Sequence, residues 1–243
     1  RRTLSWWPNF RLLDTADHAP DPEVVERVKA SEAALSGELD VPMGKTVTAL
    51  DSRNAGVRGG GTGVGSLFAD GGREALAADV GILNGGGIRG NRVYPAGATL
   101  VRRDIVAELP FSSLAVLLDI SGADLRVALE QGLALADRLS GRFPQVSGMR
   151  VRADLTRPAG ERVVSVEIGG EPLDPARRYR LATNDFMARG GDGYAALERA
   201  KVLIGPTDGK LVAQHVMAYI GARGSIEPRI EGRMIVARDR PPE

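Results

Sequence analysis

The stretch DVGILNGGGIR, residues 79–89, decides how the chain is read. DVGILN at 79–84 is apolar at Val80, Ile82 and Leu83 and runs straight into glycine, which reads as a short strand buried in a sheet. Asn84 then stands at the carboxyl end of that strand, the usual ligand position in an open α/β sheet. Gly85, Gly86 and Gly87 permit a close backbone approach, and Arg89 is expected to face the same crevice. The same residues also suit a tight turn in which Asn84 caps its own backbone. The spacing does not match the dinucleotide pattern GxGxxG.

Outward from this stretch, strands and helices alternate irregularly. Strands are expected at 47–50, 113–121, 148–154, 162–168, 178–183 and 233–238, with a turn at Gly169-Gly170. Helices are expected at 64–78, 103–108, 123–135 and 208–221. Near the start, Asp21 reads as an N-cap with Pro22 in the first turn, opening a connecting helix that Gly37 stops. The order is too irregular for a repeated βαβ barrel, so a mixed α/β domain with mixed sheets is expected. The chain begins at Arg1-Arg2 without an initiator Met or signal peptide and reads as a processed or truncated product.

Composition excludes several function classes. Of 243 residues, 43% are apolar and 26% charged, which suits a folded globular chain rather than a disordered one. The net charge is +1 and the basic residues are scattered among acidic ones, so no nucleic-acid stripe is visible. No apolar run reaches the length of a membrane span. Lysine occurs only at Lys29, Lys45, Lys201 and Lys210, so local arginine clusters, which grip phosphate as a fork, carry the cationic chemistry. There is no cysteine, and His18 and His215 are the only histidines, so a zinc or dinuclear hydrolytic centre lacks its ligands. Ser147 lacks the surroundings of a nucleophile elbow.

Two further glycine-rich segments matter. In DSRNAGVRGGGTGVGSLFAD, 51–70, Arg53 and Arg58 flank a turn and three glycines precede a helix, the ingredients of an anion site. A surface loop with solvated arginines has the same composition. In ATNDFMARGGDGYAAL, 182–197, a strand runs into Asn184-Asp185, then Phe186, a glycine pair and Asp192. Phe186, like Phe111 in ELPFSS, stands among polar and small residues, so the pair could clamp a flat ligand or fill a core. Asp192 could accept from a ribose diol or cap a turn.

NGGGIR (84–89), LPF (109–111), FPQVSG (143–148) and NDFMARGGDGY (184–194), in that order, resemble the C-terminal domain of the 5′-nucleotidase / UDP-sugar hydrolase / 2′,3′-cyclic phosphodiesterase family. The resemblance covers roughly 41–221 and implies a layered α/β/β/α domain with mixed sheets. It implies residues 1–20 as the tail of a missing N-terminal metallophosphoesterase domain, 21–40 as a linker helix and 41–243 as the recognition domain. It implies a nucleotide or nucleoside ligand, with Phe111 and Phe186 as stacking rings, Asp192 on the ribose, and Arg53, Arg58 and Arg89 on the phosphate side. Gly148 would help line the base pocket beside Asn84. Two divalent metals are implied for the missing domain and none for this chain, which alone would be inactive. A periplasmic or extracellular location is implied.

The sequence also departs from the family pattern. Ser113 stands where members carry a base-contacting Asn, and Gly61-Thr62-Gly63 where they carry Glu-Thr-Asn. Arg53 and Arg58 are spaced more widely than the family's pair. The departures keep open a second reading, a non-catalytic module with its pocket redirected toward another small anion or nucleoside.

Overall fold

The structure, a computed structural model, describes residues 13–238. Residues 1–12, Trp6, Trp7 and Phe10 among them, belong to the 1–20 segment implied above as a domain tail and lie outside the described residues. The described residues divide into two compact units, with the boundary after Asp40. In the first, the helix Pro22–Leu39 is opened by Asp21, whose carboxylate accepts the N–H groups of Glu23 at 2.9 Å and Val24 at 3.1 Å. Gly37 does not stop it: the helix runs on to Leu39, because glycine in a helix costs only about 1 kcal/mol and clashes with nothing.

The second unit is built on a five-stranded mixed sheet. Its strands lie in the order Lys201–Ile204, Ala115–Ser121, Arg178–Asn184, Val80–Asn84, Pro144–Ser147. Only the central pair, Arg178–Asn184 and Val80–Asn84, runs parallel. Alternate residues feed two cores. Val80, Ile82, Val116, Leu118 and Leu181 pack with the helix Gly122–Leu133 and a four-stranded sheet. Leu83, Leu117 and Ala182 face the other way, onto the helices Gly63–Ala75 and Val212–Arg223. Burial on both faces explains why these strands read as nearly unbroken apolar runs.

The four-stranded sheet is ordered Glu171–Pro172, Val163–Ile168, Met149–Asp154, Met234–Ala237. A third sheet pairs Pro42–Thr46 with Ser225–Ile226 and Thr99–Val101. The strand expected at 47–50 is instead a turn between Pro42–Thr46 and Leu50–Asp51. Hydroxyl bonds drive the bend: Thr46 donates to the Thr48 carbonyl at 2.6 Å, and Thr48 to that of Pro228 at 2.7 Å. Among the described residues no helix is long and apolar enough to cross a membrane.

Sheet direction places the chemistry. Because the central strands run parallel, Asn84 and Asn184 emerge at the same end of the sheet. Ala115 pairs with Asn184 at the start of an antiparallel strand, so the segment carrying Phe111 and Ser113 enters at that end too.

Candidate functional site

At this end of the sheet lies a cavity of about 480 Å³ whose walls include Arg58, Asn84, Arg89, Phe111, Ser113, Phe186 and Asp192. Its apolar wall comes from Leu83, Ile88, Leu109 and Val212. Phe111 is 55% exposed and Phe186 44%, so neither ring is a core residue. Two large half-exposed rings lining one concavity are unusual for surface phenylalanines and mark a place where another apolar surface belongs.

Each ring is held by its backbone. Phe186 sits on the short helix Asp185–Ala188, and a Cβ at Gly191 would fall 2.6 Å from the ring, so that glycine leaves the ring its room. Asp185 ties the two ring-bearing segments together. Its N–H donates to the Leu114 carbonyl at 2.9 Å, and its carboxylate accepts the Leu114 N–H at 3.0 Å. The guanidinium of Arg89 lies 5.8 Å from the centroid of the Phe111 ring, a cation–π distance.

Asn84 does not cap its own turn. Its amide donates to Asp192 at 2.7 Å and accepts from the Asn184 amide at 3.1 Å, while the Asn184 side-chain oxygen Oδ1 accepts the Met187 N–H at 2.8 Å. This chain of side chains holds the carboxylate of Asp192, in a left-handed backbone at φ 56°, at the wall of the cavity that Phe186 also lines. The loop is anchored by Tyr194, fully buried, whose hydroxyl donates to the Arg142 carbonyl at 2.6 Å. Burial pushes that phenol far above its usual range, so it stays a donor.

The glycines of 85–87 serve the protein as well as the cavity. A Cβ at Gly85 would lie 2.1 Å from the Val57 carbonyl oxygen, and one at Gly86 2.9 Å from Gly141, so both positions accept only glycine. This close packing brings Arg58, next to Val57, to the cavity wall, where its Nε is buried without a hydrogen-bond partner.

Two residues expected at the site lie away from the cavity. Gly148 is not at the cavity: Ser147 pairs with Gly81, so Gly148 turns the chain at the opposite end of the sheet, with φ 71°. Arg53 does not line the cavity either, because its guanidinium is exposed and paired to Asp51 at 2.6 Å. The pairing lowers the Asp51 pKa. Gly59, Gly60 and Gly61 line a separate open groove against Pro228 and Arg229. Thr62 caps the helix Gly63–Ala75, accepting the Gly65 N–H at 3.0 Å. His215 is half-buried, and desolvation lowers its pKa.

Sequence reasoning missed Gln145, which is buried in the strand Pro144–Ser147. Its amide donates to the carbonyls of Val57 at 2.9 Å and Gly60 at 2.7 Å, and its oxygen accepts the Thr62 N–H at 3.1 Å. It therefore fixes the loop that carries Arg58. A carboxamide inside an apolar strand was the available signal, since a buried amide requires partners. Among the described residues no group of three or more His, Cys, Asp or Glu side chains could hold a metal ion.

A family model for the 5′-nucleotidase C-terminal domain matches residues 37–199. The trifunctional nucleotide phosphoesterase protein YfkN of Bacillus subtilis is 30% identical over 238 residues, covering 93% of this chain and 16% of its own length. A snake venom 5′-nucleotidase of Crotalus adamanteus is 29% identical over 243 residues, covering 92% of this chain and 41% of its own. The crystal structure of a 5′-nucleotidase precursor from Thermus thermophilus superposes with a TM-score of 0.81 at 32% identity, covering 94% of this chain and 46% of that one. The chain thus spans less than half the length of each of these relatives. Motif order, the mixed-sheet fold and the matched span agree: the chain belongs to the 5′-nucleotidase C-terminal domain family.

Proposed function

We propose that this chain is the substrate-recognition domain of a metal-dependent nucleotidase-type phosphohydrolase acting on nucleoside phosphates. The observation that carries the reading is the pair of half-exposed rings, Phe111 and Phe186, lining one cavity beside an Asp192 that Asn84 holds in place. A flat base gains stacking from both rings, and a ribose diol can donate to Asp192. Arg58 and Arg89 supply fixed positive charge for the phosphate. Ser113 offers the base edge a hydroxyl, a shorter hydrogen-bonding group than a carboxamide.

The described residues do not fit a divalent-metal centre, so the hydrolytic chemistry is assigned to a metallophosphoesterase segment outside them. This chain binds and orients. A periplasmic or extracellular location accords with the venom relative.

The test is calorimetric titration of adenosine into the protein and into a Phe111→Ala/Phe186→Ala double variant, with circular dichroism as the control for folding. Saturable binding by the wild type that disappears in the double variant supports the reading. Saturable binding that survives the loss of both rings removes its basis. Metal-dependent phosphatase activity from the purified 243-residue chain would overturn the division of labour.

A further inference from the structure

A buried carboxylate is bonded to the turn that carries Arg89. Glu108, at the end of the helix Arg102–Glu108, is 1% exposed and accepts three donors. The Ser52 hydroxyl donates at 2.8 Å, the Tyr94 hydroxyl at 2.9 Å and the Gly90 N–H at 3.1 Å. Its main-chain carbonyl accepts the Arg89 N–H at 2.8 Å. Both hydrogen-bonding groups of one residue therefore grip consecutive positions of the turn that delivers Arg89 to the cavity.

The grip extends to the second arginine. Ser52 also accepts the Arg92 N–H at 3.1 Å, and the Asn91 side chain accepts the Asn54 N–H at 3.0 Å. Asn54 opens the helical turn Asn54–Val57 that ends at Arg58. One network thus spans the 89–92 turn, the 52–54 segment and the approach to both guanidinium groups. Two features of the sequence fit the carboxylate into place. Gly90 lets it come close, since a Cβ there would lie 2.1 Å from its oxygen. Tyr94 remains a phenol, because burial first and the adjacent Glu108 second raise its pKa far above the usual range.

We infer that Glu108 is a positioning residue for phosphate recognition, holding the Arg89 turn and, through Ser52 and Asn91, the Arg58 segment in register with the cavity. The inference rests on the nucleotide-binding reading above. An arginine fork is selective for phosphate only when its orientation is fixed beforehand, since a solvated, mobile guanidinium spends its interaction on ordering. A carboxylate remote from the ligand can therefore set the preference for phosphorylated over unphosphorylated ligands without touching either.

The experiment compares AMP with adenosine by calorimetry on the wild type and on Glu108→Ala, Glu108→Gln, Gly90→Ala and Arg89→Ala. The readout is the AMP-to-adenosine affinity ratio. Arg89→Ala sets the scale, with a fall of about tenfold or more expected for losing a charge-assisted phosphate contact. Glu108→Ala should lower the ratio by about fivefold or more, by part of that same term, while adenosine affinity holds. Glu108→Gln, whose carbonyl still accepts the Gly90 N–H, should recover most of it. Gly90→Ala displaces the carboxylate without deleting it and should act in the same direction if Glu108→Ala folds poorly.

Three results separate the possible failures. A role confined to stability would lower both affinities together and leave the ratio unchanged, overturning the inference. A ratio that falls in Arg89→Ala but in neither Glu108→Ala nor Gly90→Ala also overturns it and leaves the nucleotide reading standing. A wild type that does not prefer AMP overturns both.

Discussion

Truncating Phe186 to alanine separates binding from folding. The ring is 44% exposed, so just over half of its surface is engaged by the protein, against Gly191 and the adjoining turn. Truncating a fully buried phenylalanine costs about 3–5 kcal/mol, so half-burial implies a loss of roughly 2 kcal/mol in stability. Removing one stacking face should cost about 1–3 kcal/mol in ligand binding, roughly 5- to 150-fold in Kd. Asp185 keeps its backbone and carboxylate bonds to Leu114, so the segment bearing Phe111 should stay where it is. Adenosine titration and urea unfolding on the same preparations measure the two effects independently. Adenosine affinity unchanged in a folded Phe186→Ala variant would refute the stacking role. A loss of affinity matched by wholesale unfolding would instead make the ring structural.

Other substitutions divide site from scaffold. Gln145→Leu leaves two carbonyls and the Thr62 N–H without their partner in a buried place, so urea unfolding should show a loss of about 3 kcal/mol or more. Gly148→Ala forces a side chain into φ 71° and puts its Cβ 2.3 Å from the Asp79 carbonyl oxygen. It should lower stability by roughly 2 kcal/mol while adenosine affinity stays within experimental error, and a weakened affinity would place the turn closer to the ligand than the sheet register allows. Arg53→Ala should leave AMP affinity unchanged and lower the unfolding midpoint at pH 7 only slightly, because the pair with Asp51 is exposed and clear of the cavity. The Asp51 carboxyl is held below its unfolded pKa, so the pair's small contribution is present above the usual carboxylate range and fades as pH falls through it.

Much of this protein was legible in its sequence. Val80–Asn84 and Ala115–Ser121 announce themselves because a strand buried on both faces must be apolar almost throughout. The positions of Asn84, Arg89, Phe111, Phe186 and Asp192 follow from motif order, and all five line one cavity. The strand Lys201–Ile204 escaped notice because it lies at a sheet edge with three of its four residues exposed, where the apolar signal is weak.

Local sequence determined the strands buried on both faces and where the rings fall along the chain, since backbone preference and apolar spacing act over a few positions. Tertiary structure alone decided which ends of those strands meet. The parallel pairing of Val80–Asn84 with Arg178–Asn184 brings Asn84 and Asn184 within hydrogen-bond reach across 100 residues, and antiparallel pairing sends Gly148 to the far end. Likewise, Glu108 and Gln145 gained their partners only on folding, because a buried polar group is satisfied by whichever donors and acceptors the packed elements carry to it.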